Sequence, residues 1–113
     1  METTRQQKIS RLIQRDLGEI FQREARAVYN GAMITVTAVR VTKDLSLARV
    51  FLSIFAVTDK NVVFNKVKEH VKDTRVKLAT RIRNQVRIIP ELEFFMDDSL
   101  DYIENIEKLL KNK

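Results

Sequence analysis

Cysteine is absent from this chain of 113 residues, which also contains only one proline and two glycines. Without cysteine, disulfides and thiolate metal sites are excluded. No apolar run approaches the roughly 20 residues that a membrane-spanning helix needs, and the N-terminus lacks the apolar region of a signal peptide. We therefore expect a soluble cytoplasmic protein, long enough for one domain with a hydrophobic core and too short for two.

Positive charge is concentrated in one part of the chain. The formal net charge is +6, yet the segment from Lys60 to Arg87 alone holds nine Lys and Arg against two acids, Glu69 and Asp73. Residues 91–107 are acidic. A basic side of this kind is typical of a nucleic-acid-binding surface, although a solvated helix exterior can carry the same pattern.

The first half of the chain predicts one helix and a hairpin. Apolar residues at helical spacing indicate a helix that is capped by Thr3 or Thr4 and runs to about residue 26. Asn30-Gly31 then allows the chain to turn. Strands are predicted over 33–42 and 47–55, and their short link makes them antiparallel. The apolar alternation slips near Ala38, which indicates a bulge or a region covered on both faces.

The second half predicts a long helix from about Val62, whose apolar stripe continues to Ile82. Pro90 ends that helix, and alternation over 91–96 indicates a third strand. A short amphipathic C-terminal helix follows, so we divide the chain into a main domain, residues 1–97, and a tail, residues 98–113. The result is a two-layer α+β fold in which the two long helices can cover one sheet face. The other face, with Phe51, Phe55 and Phe95, needs a partner or the C-terminal helix.

The candidate binding residues are cations that lie opposite the apolar stripes. Lys77 and Arg81 fall on the flank of the long helix and are weaker candidates. No nucleophile–base pair, Gly-rich phosphate loop or zinc spacing is present, so we predict no enzyme, no metal, no cofactor and no small-molecule substrate. The predicted RNA-binding residues are Lys68, Lys72, Arg75, Arg83 and Arg87 on the long helix, with Arg5, Lys8, Arg11 and Arg15 on the first.

Several stretches carry a resemblance to a known family. They include the early basic residues of the first helix, Ile34-Thr-Val-Thr-Ala-Val-Arg-Val-Thr-Lys-Asp-Leu45, Ala48-Arg-Val-Phe-Leu-Ser53 and Arg87-Ile-Ile-Pro-Glu-Leu-Glu-Phe-Phe95. In these motifs and their order the chain resembles the ribosome-binding factor A family, and its order α-β-β-α-β resembles the type II KH fold. The resemblance implies that residues 1–97 form a KH-like RNA-binding domain. The resemblance implies a non-catalytic, monomeric factor that binds the small (30S) ribosomal subunit, assists late maturation of its 16S ribosomal RNA and supports growth in the cold.

One departure concerns glycine. A conventional KH domain clamps nucleotides with a Gly-x-x-Gly turn, whereas this chain has no glycine after Gly31. The family resembles a KH domain with Ala-x-Gly at a kink in its long helix, and the corresponding place here is Lys72-Asp73-Thr74. RNA contact should then depend on Lys and Arg side chains. The alternative is a protein-interaction module that uses the open sheet face or the tail and binds in a salt-resistant manner.

Overall fold

A computed structural model describes residues 2–97 as a three-stranded sheet with helices packed on one face. Strand order is β1-β2-β3, with β1 antiparallel to β2 and β2 parallel to β3. The two-layer, type II KH-like α+β fold is therefore confirmed. The predicted C-terminal helix and the tail division at 98–113 lie outside the described residues. The elements are α1 (Thr4–Glu24), β1 (Met33–Val41), β2 (Leu47–Phe55), α2 (Lys60–Glu69), α3 (Val71–Ile82) and β3 (Glu91–Met96).

Helix α1 begins with a capping box. The backbone N–H of Gln6 donates to Thr3 Oγ1 at 3.1 Å, and the backbone N–H of Thr3 donates to Gln6 Oε1 at 2.8 Å. These two bonds satisfy amides that the first helical turn leaves without partners. The chain then reverses at Asn30 and Gly31, which have φ of 57° and 78°, as the sequence predicts.

Strand β1 contains the predicted bulge. Its pairing with β2 shifts register between Val36 and Ala38, which leaves Thr37 as the extra residue. Because of this insertion, Val36 and Val39 both point into the core, where each is less than 9% exposed. The apparent slip in alternation is thus a bulge, and β1 keeps its apolar side toward the helices.

The β1–β2 turn is fixed by a single carboxylate. Asp44 Oδ1 accepts from the Ser46 hydroxyl at 2.7 Å, the Thr42 hydroxyl at 2.8 Å and the Ser46 backbone N–H at 3.1 Å. These hydrogen bonds lower the pKa of Asp44, and the largest contribution comes from the Ser46 hydroxyl, followed by the Thr42 hydroxyl. The turn also places Leu45 at a φ of 63°.

Two glutamines of α1 cover the free edge of β1. Gln6 Nε2 donates to the Val41 carbonyl at 2.9 Å, and Gln14 Nε2 donates to the Val36 carbonyl at 3.0 Å. The outer edge of a sheet would otherwise present unpaired carbonyls. Helix α1 therefore both closes the core with its apolar stripe and shields the strand edge with its polar flank.

The predicted long helix is divided at His70, whose φ of −91° and ψ of 12° are not helical. Whether this helix is kinked at Lys72-Asp73-Thr74 is a question that the sequence leaves open, and the break lies just before that place. The two pieces bury their stripes separately: Val63 and Val67 on α2, then Thr74, Leu78 and Ile82 on α3. Helix α2 packs on β2 and β3, while α3 packs mainly on α1. The break also precedes Lys72-Asp73-Thr74, which form the first turn of α3.

Candidate nucleic-acid interface

The cations on the inner flank of α3 are held by acids of α1. Lys77 Nζ forms an ion pair with Glu24 and lies 3.0 Å from Asp73 Oδ2. Four residues later, Arg81 Nε lies 3.1 Å from Asp16 Oδ1. Because the pairs run 77 with 24 and 81 with 16, the two helices are antiparallel. Lys77 and Arg81 thus join α1 to α3, in agreement with their weaker candidacy as binding residues.

These ion pairs place a buried carboxylate between the helices. The Asp16 side chain is 7% exposed, and Arg81, which also pairs with Glu19, is 25% exposed. The hydrogen bond to Glu24, followed by that to Asp73, raises the pKa of Lys77. The burial of Asp16 is not predictable from the sequence, since an acid within a basic helix face gives no sign of being buried.

Arg75, predicted to bind RNA, is already engaged by the protein. Its Nε donates to the Pro90 carbonyl at 3.0 Å, and a terminal guanidinium nitrogen donates to the Ile89 carbonyl at 2.6 Å. The residue is half-buried. This fork fixes the extended segment that enters β3, so Arg75 has a structural task in addition to its charge.

Lys68 and Lys72 form what we call the junction cluster, on either side of the break at His70. Both are exposed. Lys68 Nζ lies 5.0 Å from the centroid of the Phe64 ring, a cation–π contact that leaves the ammonium open to solvent. Neither lysine has an ion-pair partner within residues 2–97.

A second set of cations, the groove cluster, surrounds a groove of about 490 Å³ between α1 and the segment after α3. Lys8, Arg11 and Arg15 line one wall, and Gln85 and Val86 line the other. The apolar side chains of Ile9 and Leu12 also contribute to the lining. We include in the cluster the exposed Arg83 and Arg87, which flank the second wall in sequence, and the exposed Arg5, one turn before Lys8.

The two clusters are separate. Lys72 and Arg83 are eleven residues apart, which corresponds to about 16 Å along a helix. This exceeds the Debye length of about 8 Å at physiological salt. Between them the exposed surface of α3 carries Val76 and Thr80. The basic face predicted from the sequence is therefore divided into two patches that can each attract a different phosphate.

A buried polar pair lies beneath the helix break. The hydroxyls of Tyr29 and Thr74 are both inaccessible to solvent, and neither makes a hydrogen bond of good geometry. Burial raises the pKa of Tyr29, and the nearby Thr74 hydroxyl acts in the opposite direction. The Tyr29 ring also meets the His70 ring edge-on at 6.3 Å, so the histidine has a packing role at the break.

The described part of the chain holds no cluster of three or more His, Asp or Glu side chains that could hold a metal ion. Within the same residues, no helix is both long and apolar enough to cross a membrane.

Comparison with known proteins finds relatives that are similar in sequence over nearly the whole chain. Relatives named ribosome-binding factor A include one from Cytophaga hutchinsonii, 44% identical over 97% of this chain and 83% of the relative. Another, from Flavobacterium johnsoniae, is 45% identical over 100% of this chain and 88% of the relative.

Among solved structures, the crystal structure of ribosome-binding factor A from Thermus thermophilus is similar in fold, with a TM-score of 0.67 and 24% identity over 80% of this chain and 94% of that one. A homology model of the Thermus thermophilus factor, fitted into a cryo-EM map of its complex with the 30S subunit, has a TM-score of 0.61 and 27% identity, and covers 77% of this chain and 89% of that one. The family model for ribosome-binding factor A matches residues 5–110. The chain belongs to the ribosome-binding factor A family.

Proposed function

We propose that this protein is a non-catalytic assembly factor that binds the small ribosomal subunit through its ribosomal RNA, in the cytoplasm and as a monomer. The observation that carries the proposal is the pair of exposed basic clusters on the helical side of the fold. Family membership supports it, as does the relative fitted into the map of a 30S complex. No small molecule, cofactor or membrane is required.

Binding would depend on side chains, since the chain has no Gly-x-x-Gly turn. Lys and Arg neutralise phosphates and release counterions, which gives affinity that falls steeply with salt. Such contacts fix the position of the protein on the RNA but discriminate little between base sequences. Two clusters about 16 Å apart along α3 suit two stretches of backbone, and we assign direct contact to both clusters and treat Arg75 as a support.

The groove adds a preference for unpaired RNA. Its lining combines the cations Lys8, Arg11 and Arg15 with the apolar side chains of Ile9, Leu12 and Val86. An apolar surface beside cations can contact the face of an unpaired base and its phosphate at the same time. In a duplex the base faces are stacked on each other and are not available for such contact. Contact with unpaired nucleotides of the maturing 16S RNA is consistent with a role late in assembly, and with growth in the cold, where misfolded RNA escapes slowly.

The test is co-sedimentation with purified small and large subunits over a salt series. The variant carries Lys72→Glu with Arg83→Glu, one residue from each cluster. The matched control carries Arg23→Glu with Arg26→Glu, which makes the same change in net charge at exposed positions outside both clusters. We expect the wild type to bind the small subunit only, with an affinity that falls as salt rises.

We expect the variant to bind about tenfold or more weakly, with a salt slope smaller by about two, while the control binds nearly as the wild type does. If the variant binds like the wild type, the proposed function stands, but the RNA contact lies elsewhere on the protein. No association of the wild type with either subunit would refute the function itself.

The alternative function, a protein-interaction module, is favoured by one observation. The aromatic rings of Phe51 and Phe95 stack on the sheet face that carries no helix among residues 2–97. Binding through that face would be driven by apolar burial and would persist at high salt. The same salt series therefore separates the two functions.

A further inference from the structure

Three polar residues of α1 form a row along the free edge of β1. Gln6, Ser10 and Gln14 are four residues apart, so they lie on the same side of the helix, one turn after another. At one end of the row Gln6 donates to the Val41 carbonyl. At the other end Gln14 donates to the Val36 carbonyl. The hydroxyl of Ser10 is inaccessible to solvent and makes no hydrogen bond within residues 2–97. The row therefore bonds the strand at its two ends and not at its middle.

The strand opposite the middle of the row has a donor and an acceptor without partners. The backbone N–H of Thr42 donates to the Leu47 carbonyl at 2.9 Å, which fixes the alternation along β1. The backbone groups of Arg40 then point toward β2, and those of Val39 point toward the free edge. Among residues 2–97, no group of α1 bonds the Val39 N–H or its carbonyl.

The gap in the row is an open pocket of about 410 Å³, which we call the edge pocket. Ser10 and Gln14 line it from α1, and Val39 lines it from β1. The exposed side chains of Gln7 and Arg11 also contribute to the lining. Its volume is within the range of roughly 300–1,000 Å³ that is usual for ligand pockets. Because most of these side chains form hydrogen bonds, the edge pocket suits a polar ligand.

The two glutamines limit the shape of that ligand. A peptide that added a strand to β1 would need several consecutive residues of its edge, but Gln6 and Gln14 already occupy the carbonyls on both sides of Val39. What remains is the donor and the acceptor of one residue. A small planar group that carries a donor beside an acceptor can bond both. The Watson–Crick edge of each nucleobase has this arrangement and becomes available where RNA is unpaired.

Arg11 connects the edge pocket with the groove cluster. It lines the edge pocket and also the groove of about 490 Å³ on the other flank of α1. The second cation of the edge pocket, Arg40, lies 3.6 Å from Glu2, whereas Arg11 has no acidic partner among residues 2–97. Arg11 is thus the group that is open to a phosphate. An RNA strand bound in the groove passes the edge pocket at this residue.

We propose that the edge pocket binds the base of one unpaired nucleotide of RNA. The base bonds the Val39 N–H and carbonyl, the small side chain of Ser10 leaves room for it, and Arg11 holds its phosphate. This inference rests on the proposed binding of ribosomal RNA. It adds a place where the protein contacts a base as well as the backbone. It also explains the serine, since a glutamine at the middle of the row would close the pocket.

The test is an NMR titration of the full-length protein with the four ribonucleoside 5′-monophosphates and, separately, with inorganic phosphate. The Val39 amide is the reporter, because a new hydrogen bond moves its proton signal downfield. We expect this shift with at least one nucleotide and not with inorganic phosphate, while the amides of α2 keep their positions. The wild-type titration decides the matter without a variant.

Three variants locate the bound base. Ser10→Gln supplies a third glutamine, which should bond the Val39 carbonyl, preserve the fold and weaken nucleotide binding about tenfold or more. The matched control, Ser10→Ala, leaves the pocket open and should bind like the wild type. Arg11→Gln, at an exposed position that does not affect folding, should weaken binding while the downfield shift at Val39 is retained at saturation.

Three outcomes would overturn the inference. The first is no shift at Val39 with any nucleotide. The second is an equal shift with inorganic phosphate, since the pocket would then bind an anion only. The third is equal affinity in a folded Ser10→Gln variant, because the base would then lie outside the gap. Co-sedimentation with the small subunit is measured in parallel. A wild type that binds the subunit but shows no shift at Val39 refutes the edge pocket alone, whereas absence of subunit binding refutes the proposed function.

Discussion

Helix α3 presents cations in two settings that the sequence alone does not distinguish. On the flank facing α1, Lys77 and Arg81 are held by Glu24, Asp16 and Glu19. On the outward surface, Lys72 and the exposed Arg83 at the end of the helix have no acidic partner within residues 2–97. Lysine and arginine therefore stabilise the packing of α3 on α1 at the flank, and a few positions away, on the outward surface, the same residue types can attract anions.

An acidic partner therefore determines whether a cation contributes to stability or is available for binding. A lysine or arginine beside a partly buried carboxylate is fixed in place and adds little to the external field. An exposed cation is strongly hydrated and screened by salt, and contributes little to stability. Changes on the flank should therefore alter stability, whereas changes on the outward surface should alter binding. Two pairs of substitutions test this separation, Asp16→Ala with Glu19→Ala and Arg75→Lys with Lys72→Gln, and Tyr29→Phe tests the buried polar pair.

The largest effect is expected for Asp16→Ala. The carboxylate is 7% exposed, and its loss leaves the Arg81 guanidinium, 25% exposed, with only Glu19. We expect a loss of roughly 2–3 kcal/mol in the free energy of unfolding, less than for a fully buried pair because solvent reaches Arg81. Urea denaturation measures it.

The matched control for this substitution is Glu19→Ala. Its carboxylate also pairs with Arg81 but is 48% exposed, so we expect a change below about 0.5 kcal/mol. Equal losses in the two variants would show that burial of Asp16 does not distinguish this flank from the surface.

The next effect is expected for Arg75→Lys. Lysine keeps the charge but cannot reproduce the forked bonds to the Ile89 and Pro90 carbonyls, so stability should fall by about 1–2 kcal/mol. Affinity for the small subunit should be unchanged, whereas Lys72→Gln should reduce affinity and leave stability unchanged. Thermal unfolding and co-sedimentation measure the two quantities. If Arg75→Lys binds more weakly while its stability is unchanged, Arg75 contributes to binding and not to the fold.

The smallest effect is expected for Tyr29→Phe. At neutral pH the change should be within about 0.5 kcal/mol, since the buried hydroxyl has no good hydrogen bond to lose. Burial raises the pKa of Tyr29 above 10.0. The folded state then binds the phenolic proton more tightly than the unfolded state, so stability falls as pH rises above 10.0.

Removing the hydroxyl should make that alkaline decline shallower. A residual decline should remain, because the pKa of Lys77 is raised as well, and the stability from its ion pairs is also lost as pH rises through the folded pKa. Denaturation curves at neutral and alkaline pH compare the two proteins. An unchanged slope in Tyr29→Phe would mean that the phenol ionises without cost in the folded state.

Much of the fold could be predicted because its signals are local. Alternation marks all three strands, the slip near Ala38 marks the bulge, and Pro90 marks the entry to β3. The break at His70 could not be predicted, since neither glycine nor proline stands there and the apolar spacing continues across it from Val67 to Thr74. Only the contacts of α2 with β2 and β3, and of α3 with α1, separate the two helices.

For the candidate site, too, the sequence predicts local features but not contacts between residues that are distant in the chain. Spacing along a helix predicts the face on which a cation lies, and it placed Lys77 and Arg81 on the flank. It does not predict acceptors distant in sequence, such as the carbonyls of Ile89 and Pro90 for Arg75. Nor does it predict that the groove joins Lys8 to Val86, since the antiparallel packing of α1 and α3 is a property of the folded chain.

The two glutamines on the edge of β1 have a consequence for how the chain is made. Synthesis proceeds from the N-terminus, so α1, which carries Gln6 and Gln14, is complete before β1 emerges. The Val36 and Val41 carbonyls can be covered before β3 exists to complete the sheet. An exposed strand edge in a half-made chain is a site of aggregation. The order of the elements therefore covers the β1 edge early, while the edge of β2 stays open until β3 pairs with it.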